Sequence, residues 1–185
     1  WIKPWKKSYE EKNSFFKWFI GGKLNISYNC LDRHLVDHAD KLAMIWVAEP
    51  LEHRQMSFTY RQLHEAVCKF ANVLKSEGVK KGDVVSIYLP LIPEVVIAML
   101  ACARIGAIHS VVFSAFSSDA LKARIQDGKA KLLVTADGYY RRGKPENLKS
   151  KADEAIKGTE IKRVIVVQRA RIHIDLHETD KLYDD

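Results

Sequence analysis

Apolar runs alternate with amphipathic segments from residue 60 onward, and this alternation is the strongest pattern in the chain. Runs of branched apolar residues predict four strands, at residues 84–89, 107–113, 131–135 and 163–167. Apolar residues at helical spacing predict four helices, at residues 60–76, 93–105, 117–126 and 145–156. Strands that alternate with helices of this length form a mostly parallel sheet with helices on both faces, so the predicted fold class is α/β.

The helix at residues 60–76 is the clearest single element, because its apolar residues share one face. These residues are Leu63, Val67, Phe70, Ala71 and Leu74. Gly78 is placed to end this helix, and Pro93 is placed to open the next one. No further strand is predicted after Gln168, so we expect residues 59–185 to form an α/β subdomain that is incomplete at its C-terminus.

Residues 1–58 lack the alternation, and we interpret them as an N-terminal arm with short helices and a small hairpin. A charged segment at residues 9–20 carries crowded aromatic residues and predicts a short helix that ends at Gly21 and Gly22. Asn29 is a candidate N-cap for a second helix. Strands are predicted at residues 43–48 and 56–60, with a polar turn at residues 50–53 between them. Aromatic residues this dense, without a core of their own, indicate an arm that wraps another part of the same protein.

Composition sets the broad class of the protein. A chain of 185 residues that is 47% hydrophobic and 29% charged suits one ordinary globular domain. The longest apolar run, at residues 95–103, is about half of the roughly 20 residues needed to cross a bilayer, so we expect no membrane span. Three scattered cysteines, Cys30, Cys68 and Cys102, suit reduced thiols, and we therefore expect a cytoplasmic protein.

The net charge of +7 favours anionic partners, and one loop concentrates the positive charge. The loop after the third predicted strand contains Arg141, Arg142, Gly143 and Lys144, directly before a predicted helix. Guanidinium groups and a helix N-terminus both bind phosphate. Cationic loops are more often solvated turns, so charge alone leaves both interpretations open.

No other motif indicates chemistry. No strand is followed by a GxGxxG or P-loop pattern, and no HExxH zinc motif is present. For Asp32, Arg33 and His34, a capping or ion-pair role is the simpler interpretation, since successive helical residues point in different directions. We therefore assign no catalytic residue and no metal site.

Several longer segments resemble the AMP-forming acetyl-CoA synthetases, in order and in spacing. The first of these segments runs from Trp18 to His34 and reads WFIGGKLNISYNCLDRH. The others are FTY at residues 58–60, GD at 82–83, YLP at 88–90, RIGAIHSVVF at 104–113 and TAD at 135–137. The resemblance implies part of the N-terminal domain of an adenylate-forming enzyme.

The resemblance also implies an activity and its substrates. Such an enzyme joins acetate and ATP, with Mg²⁺ accompanying the ATP, into acetyl-adenylate, and then transfers the acetyl group to coenzyme A. In that family the loop at the position of Arg141, Arg142, Gly143 and Lys144 contacts the phosphates of coenzyme A. Lys144 stands where many relatives carry arginine, and Ser114-Ala115 replaces a glycine-containing pair.

The ATP-phosphate loop, the acetate pocket and the catalytic lysine of that family have no counterpart in these 185 residues. We therefore expect a fragment that is inactive alone. The acid used by the enzyme could be propionate or another short acid instead of acetate, and an incomplete sheet edge with aromatic surface favours self-association of the fragment. A different class, a basic module that binds nucleic acid or other anions on its own, is the alternative interpretation, and strongly salt-dependent binding would favour it.

Overall fold

The computed structural model describes residues 1–49 and 55–184. The described strands are β1 Lys7–Lys12, β2 Phe15–Ile20, β3 Leu42–Trp46, β4 Met56–Thr59, β5 Val84–Tyr88, β6 Ile108–Val111, β7 Leu132–Ala136, β8 Gly138–Arg141, β9 Lys144–Asn147, β10 Arg163–Val167 and β11 Asp180–Leu182. The described helices are α1 Ile26–Cys30, α2 Leu35–His38, α3 Tyr60–Ser76, α4 Pro93–Ile105, α5 Ser118–Gly128 and α6 Lys149–Ile156, with a 3₁₀ turn at Asp32–His34 between α1 and α2.

A five-stranded parallel sheet forms the centre of the molecule, in the order β11-β10-β7-β5-β6. The chain moves outward from β5 to β6 and then returns past β5 to β7, β10 and β11. Because parallel crossovers are right-handed, this reversal places α4 on one face of the sheet and α5 and α6 on the other. Helix α3 packs against α4, and α5 packs against α6. The predicted α/β class, with a mostly parallel sheet covered on both faces, is confirmed.

Helix α3 shows how the local sequence produces this packing. Its N-cap Thr59 accepts a hydrogen bond from the backbone of Gln62, whose side chain accepts one from the backbone of Thr59. The five residues predicted to share one face are the five that the helix buries. Gly78 follows the helix with a φ of +81°, a conformation that side chains with a Cβ rarely adopt.

The first 20 residues differ from the prediction, because residues 9–20 do not form a helix. They belong to an antiparallel hairpin of β1 and β2, in which Tyr9 pairs with Trp18. Asn13 and Ser14 both have positive φ, the geometry of a two-residue hairpin turn that asparagine tolerates well. Aromatic residues lose rotamer freedom in a helix and pack well on a pleated surface. In this segment their preference for a strand outweighs the helical spacing of the apolar residues.

The second part of the arm is helical where predicted, but its cap is a different residue. Asn29 lies inside α1, and the cap is Asn25, whose side-chain oxygen accepts hydrogen bonds from the backbones of Ser27 and Tyr28. The amide nitrogen of Asn25 donates to the carbonyls of Ala103 and Arg104 at the end of α4. One side chain therefore caps the start of α1 and ties it to the end of α4.

The ion-pair interpretation of Asp32 is confirmed. Its carboxylate accepts two hydrogen bonds from the guanidinium of Arg104, at 2.8 and 2.7 Å, and lies 3.3 Å from His64 Nε2. The side chains of Asp32 and Arg104 are only 21% and 26% exposed. Hydrogen bonding from Arg104 holds the pKa of Asp32 below its ordinary value of 3.8.

The predicted hairpin of the arm is present as the antiparallel pair β3 and β4. Its predicted turn at residues 50–53 lies outside the described residues. The prediction that no strand follows Gln168 was wrong, because β11 adds to the sheet beside β10. Two of its three residues, Asp180 and Lys181, are charged, so the segment carries too weak an apolar pattern to be recognised, and pairing with an existing strand is what makes it a strand.

The buried carboxylate of Asp137 joins the loops that follow β7 and β10. It is 1% exposed and accepts hydrogen bonds from the backbone nitrogens of Gly138, Arg169, Ala170 and Ile172, at 2.6, 2.7, 2.9 and 3.1 Å. Its own backbone carbonyl accepts from Leu148 and Lys149, where α6 begins. The relative position of these three segments therefore depends on one carboxylate.

Replacing Asp32 with asparagine should destabilise the chain by about 2 kcal/mol at pH 7, since a partly buried guanidinium loses a charge-assisted partner. The depressed pKa of Asp32 means that its contribution is complete above about pH 4 and is lost as the pH falls through the folded-state pKa. Denaturant unfolding at a series of pH values should show wild type and Asp32→Asn converging below pH 4. A difference that is unchanged down to pH 2 would contradict this.

Replacing Asp137 with asparagine should lower the free energy of unfolding by about 3 kcal/mol, because an amide NH₂ would replace one of the two oxygens that together accept from four N–H groups. Asp175→Asn, at an exposed position of the following segment, is the matched control and should change stability by less than about 0.5 kcal/mol. Equal midpoints of urea unfolding for the two variants would show that the carboxylate is not needed.

Candidate functional site

A cavity of about 440 Å³ opens at the carboxyl edge of the sheet. This edge is where ligands bind in open parallel sheets, next to the point where the strand order reverses. Strands β5 and β7 are neighbours whose connections lead to opposite faces, so the loops after them diverge there. The lining residues come from the arm and from the loops after β5, β6, β7 and β10: Trp46, Val47, Glu49, Pro90, Leu91, Ile92, Phe113, Ser114, Ala115, Tyr139, Tyr140, Arg141 and Arg169.

Buried Tyr88 fixes the loop after β6 on one side of the cavity. Its hydroxyl donates to the carbonyls of Ser114 and Phe116, at 3.0 and 2.7 Å. Burial raises the pKa of Tyr88 to about 12. Ser114 is 5% exposed, and Ala115 beside it is exposed at the cavity.

The cationic cluster lies on a third hairpin, made of β8 and β9. Arg142 and Gly143 form its two-residue turn, with φ values of +53° and +75°. The prediction that a helix begins at Pro145 was wrong, because α6 starts only at Lys149. Consequently the cluster does not lie at a helix N-terminus. Tyr139 and Tyr140 favour a strand, and Pro145 is tolerated because a two-stranded hairpin leaves one side of each strand without a partner.

The four predicted site residues have different relations to the cavity. Arg141 lines it, whereas Arg142, Gly143 and Lys144 are exposed beside it. Arg141 and Lys144 are cross-strand partners, so their side chains project from the same face of the hairpin. The backbone nitrogen of Arg142 donates to Glu49 Oε1 at 2.9 Å, which ties the turn to the arm.

Tight packing behind the hairpin explains the glycine at its start. A Cβ on Gly138 would lie 2.5 Å from the backbone oxygen of Glu146 and 3.0 Å from Ile172 Cδ1. Real Cβ atoms do not approach this closely, so only glycine allows β8 to lie against both β9 and the segment after β10.

A group of aromatic and charged residues that the sequence did not predict also lines the cavity. The guanidinium of Arg169 lies 5.1 Å from the ring of Trp46 and 5.2 Å from the ring of Tyr140. Trp46 Nε1 donates to the carbonyl of Leu91 at 2.8 Å. A signal for Arg169 was present, because it follows a predicted parallel strand at the carboxyl edge. Trp46 and Glu49 come from the arm and carried no such signal.

The described charged residues that line the cavity are Glu49, Arg141 and Arg169. The net charge of these three residues is positive, and the carboxylate of Glu49 accepts a hydrogen bond from the Arg142 backbone. Exposed guanidinium beside aromatic walls suits a ligand that has both anionic groups and a planar apolar part.

The described residues contain one close group of metal-ligand type, Asp153, His177 and Asp180. The ammonium of Lys149, which is 1% exposed, lies among them and forms ion pairs with both aspartates, at 2.8 Å from Asp180. A cation thus already balances the acidic charge, and these residues do not fit a divalent metal ion. Among the described helices, none is both long and apolar enough to span a bilayer.

Two family models match the chain. The model described as AMP-binding enzyme matches residues 31–185, and the model described as acetyl-coenzyme A synthetase N-terminus matches residues 1–30.

Characterised relatives agree with these matches. An acetyl-coenzyme A synthetase of Shewanella frigidimarina is 51% identical over 182 residues, which cover 95% of this chain and 28% of the relative. Acetyl-coenzyme A synthetase 1 of Pseudomonas aeruginosa is 49% identical over 194 residues, which cover the whole chain and 30% of the relative. The chain therefore spans less than a third of the length of these relatives.

Among solved structures, the acetoacetyl-CoA synthetase from Streptomyces lividans superposes with a TM-score of 0.87 at 26% identity. The match covers 98% of this chain and 28% of that one. It includes nearly all of the arm as well as the sheet, so the predicted fold of a partial adenylate-forming N-terminal domain is confirmed. From its sequence and its fold, the chain belongs to the AMP-binding enzyme family and begins with an acetyl-coenzyme A synthetase N-terminus.

Proposed function

We propose that this chain is the N-terminal part of an AMP-forming acetate–CoA ligase and that it supplies part of the surface that binds coenzyme A. Support for the ligase comes from acetyl-coenzyme A synthetases that are about half identical over almost all of the chain. In the reaction, an acetate oxygen attacks the α-phosphorus of ATP and pyrophosphate leaves. The thiol of coenzyme A then attacks the carbonyl of acetyl-adenylate, and AMP leaves.

The observation that carries the coenzyme A assignment is the like-charged pair on the β8–β9 hairpin. Arg141 and Lys144 are directly opposite each other in the hairpin register, with Arg141 at the cavity. Like charges in this position repel and destabilise a hairpin. A bound anion removes that repulsion, and coenzyme A brings three phosphate groups to its binding site.

Each residue of the cluster has a distinct role in this proposal. The planar guanidinium of Arg141 grips phosphate oxygens with two hydrogen bonds, whereas Lys144 adds a point charge without that geometry. Gly143 adopts the positive φ that the turn requires. The backbone of Arg142 holds the turn against Glu49, and its exposed side chain adds positive charge.

The remaining functions of such a ligase require groups that the described residues do not provide. We expect ATP, its Mg²⁺ and acetate to be held by the further length that the relatives possess, so that the 185-residue chain alone makes no acetyl-CoA. We further expect the complete enzyme to work in the cytoplasm. Self-association of the isolated chain through Phe15, Phe16 and Trp18, which are all more than half exposed, stays a prediction.

Replacing Arg141 with alanine in the full-length enzyme should weaken the binding of coenzyme A and leave adenylate formation nearly unchanged. One charge-assisted phosphate contact contributes about 1.5–3 kcal/mol, so the KM for coenzyme A should rise roughly ten- to a hundredfold. Acetate-dependent pyrophosphate exchange, measured beside acetyl-CoA formation, separates the two half-reactions.

Arg33→Ala is the control, because Arg33 is an exposed arginine on the 3₁₀ turn of the arm and does not line the cavity. It should leave both half-reactions unchanged. A loss of pyrophosphate exchange in Arg141→Ala equal to its loss of overall turnover would refute the assignment of this loop to coenzyme A.

A further inference from the structure

Arg169 lies in the partition between two cavities. Besides the cavity that contains Arg141, a second one of about 580 Å³ opens on the other side of Arg169. The residues common to both linings are Trp46, Ile92, Tyr140 and Arg169. Arg169 is therefore one of four residues in the wall that the two cavities share.

The side chain of Arg169 is held at its charged end. The guanidinium lies over two aromatic rings, 5.1 Å from that of Trp46 and 5.2 Å from that of Tyr140. Its Nη2 atom donates to the backbone carbonyl of Glu49 at 2.6 Å. A planar cation can stack on both rings and still donate in its own plane, which a lysine ammonium cannot do.

The backbone of Arg169 is held just as firmly. Its nitrogen donates to Asp137 Oδ1 at 2.7 Å, the same oxygen that accepts from Gly138 at the start of β8. The backbone nitrogen and the guanidinium of Arg169 therefore both contact residues in or next to β8, the strand that carries Arg141.

Two routes lead from Arg169 to Arg141 without a direct contact. Tyr140, whose ring lies beside the Arg169 guanidinium, immediately precedes Arg141 in β8. Glu49, whose carbonyl accepts from Arg169, accepts from the backbone of Arg142 through its side chain. The neighbours of Arg141 on both sides in sequence are therefore tied to the same partition.

We propose that Arg169 is a positioning residue, which clamps the β8–β9 hairpin between the arm and the sheet so that Arg141 is aligned for the phosphates of coenzyme A. The inference rests on the proposed function of Arg141 and adds the residue on which its geometry depends. An exposed two-stranded hairpin is marginally stable by itself, so the alignment of Arg141 requires such a clamp.

The test uses Arg169→Lys in the full-length enzyme, which keeps the charge and removes the planar stacking. The KM for coenzyme A should rise about five- to tenfold, the effect of a phosphate contact that is weakened but not lost. The KM for ATP and the rate of pyrophosphate exchange should not change.

The matched control is Arg124→Lys. Arg124 also lies over an aromatic ring, that of Phe116 at 4.7 Å, but it belongs to α5 and does not line the cavity. Arg169→Gln replaces the lysine variant if that variant does not fold, and it should show the same selective rise.

The double variant with Arg141→Ala distinguishes positioning from direct contact. If Arg169 acts through Arg141, adding Arg169→Lys to Arg141→Ala should not raise the KM for coenzyme A further. A full additional rise would overturn the proposal, and so would an unchanged KM in Arg169→Lys alone while Arg141→Ala shows its effect. If Arg141→Ala itself leaves the KM unchanged, the proposed function of the loop fails first, and the two failures remain distinguishable.

Discussion

The geometry of the site depends on the buried carboxylate of Asp137. It accepts four backbone N–H groups from two loops that are more than 30 residues apart in sequence, and its carbonyl accepts from the start of α6. Hydrogen bonds to an ionised acceptor are stronger than those between neutral groups, and a buried carboxylate without them would be costly. These bonds join the start of β8, the backbone of Arg169 and the start of α6 to one residue. The cavity at the carboxyl edge is a consequence of that arrangement.

Two further interactions connect the arm to this centre. The guanidinium of Arg169 lies over the rings of Trp46 and Tyr140, and Glu49 accepts from the backbone of Arg142. At the opposite edge of the sheet, Asn25 and Asp32 bind the end of α4. The arm is thus part of the cavity wall, in addition to packing against α3 and α4. The β1–β2 hairpin has a different status, since its aromatic side chains are exposed on the chain as described.

The α/β body could be predicted from sequence because its elements are long and strongly periodic. Helix α3 has the predicted bounds and buried face, and α4 and β10 also begin and end where predicted. The failures involve short elements whose conformation depends on partners. Residues 9–20 carry spacing compatible with a helix, but the Asn13-Ser14 turn and aromatic pairing across strands determine a hairpin. β11 has three residues and exists through its pairing with β10.

The site was predicted only in part. Arg141 lies in a recognisable cationic loop, whereas Trp46, Glu49 and Arg169 meet through contacts between residues up to 120 positions apart.

The central claim is that the β8–β9 hairpin receives the phosphates of coenzyme A. Hydrogen–deuterium exchange on the full-length protein, with and without saturating coenzyme A, tests this most directly, because an exposed hairpin opens readily and a bound ligand slows that opening. The account predicts slower exchange across residues 138–147 and no change across residues 7–20. Protection elsewhere in the protein with unchanged exchange at residues 138–147 would contradict it.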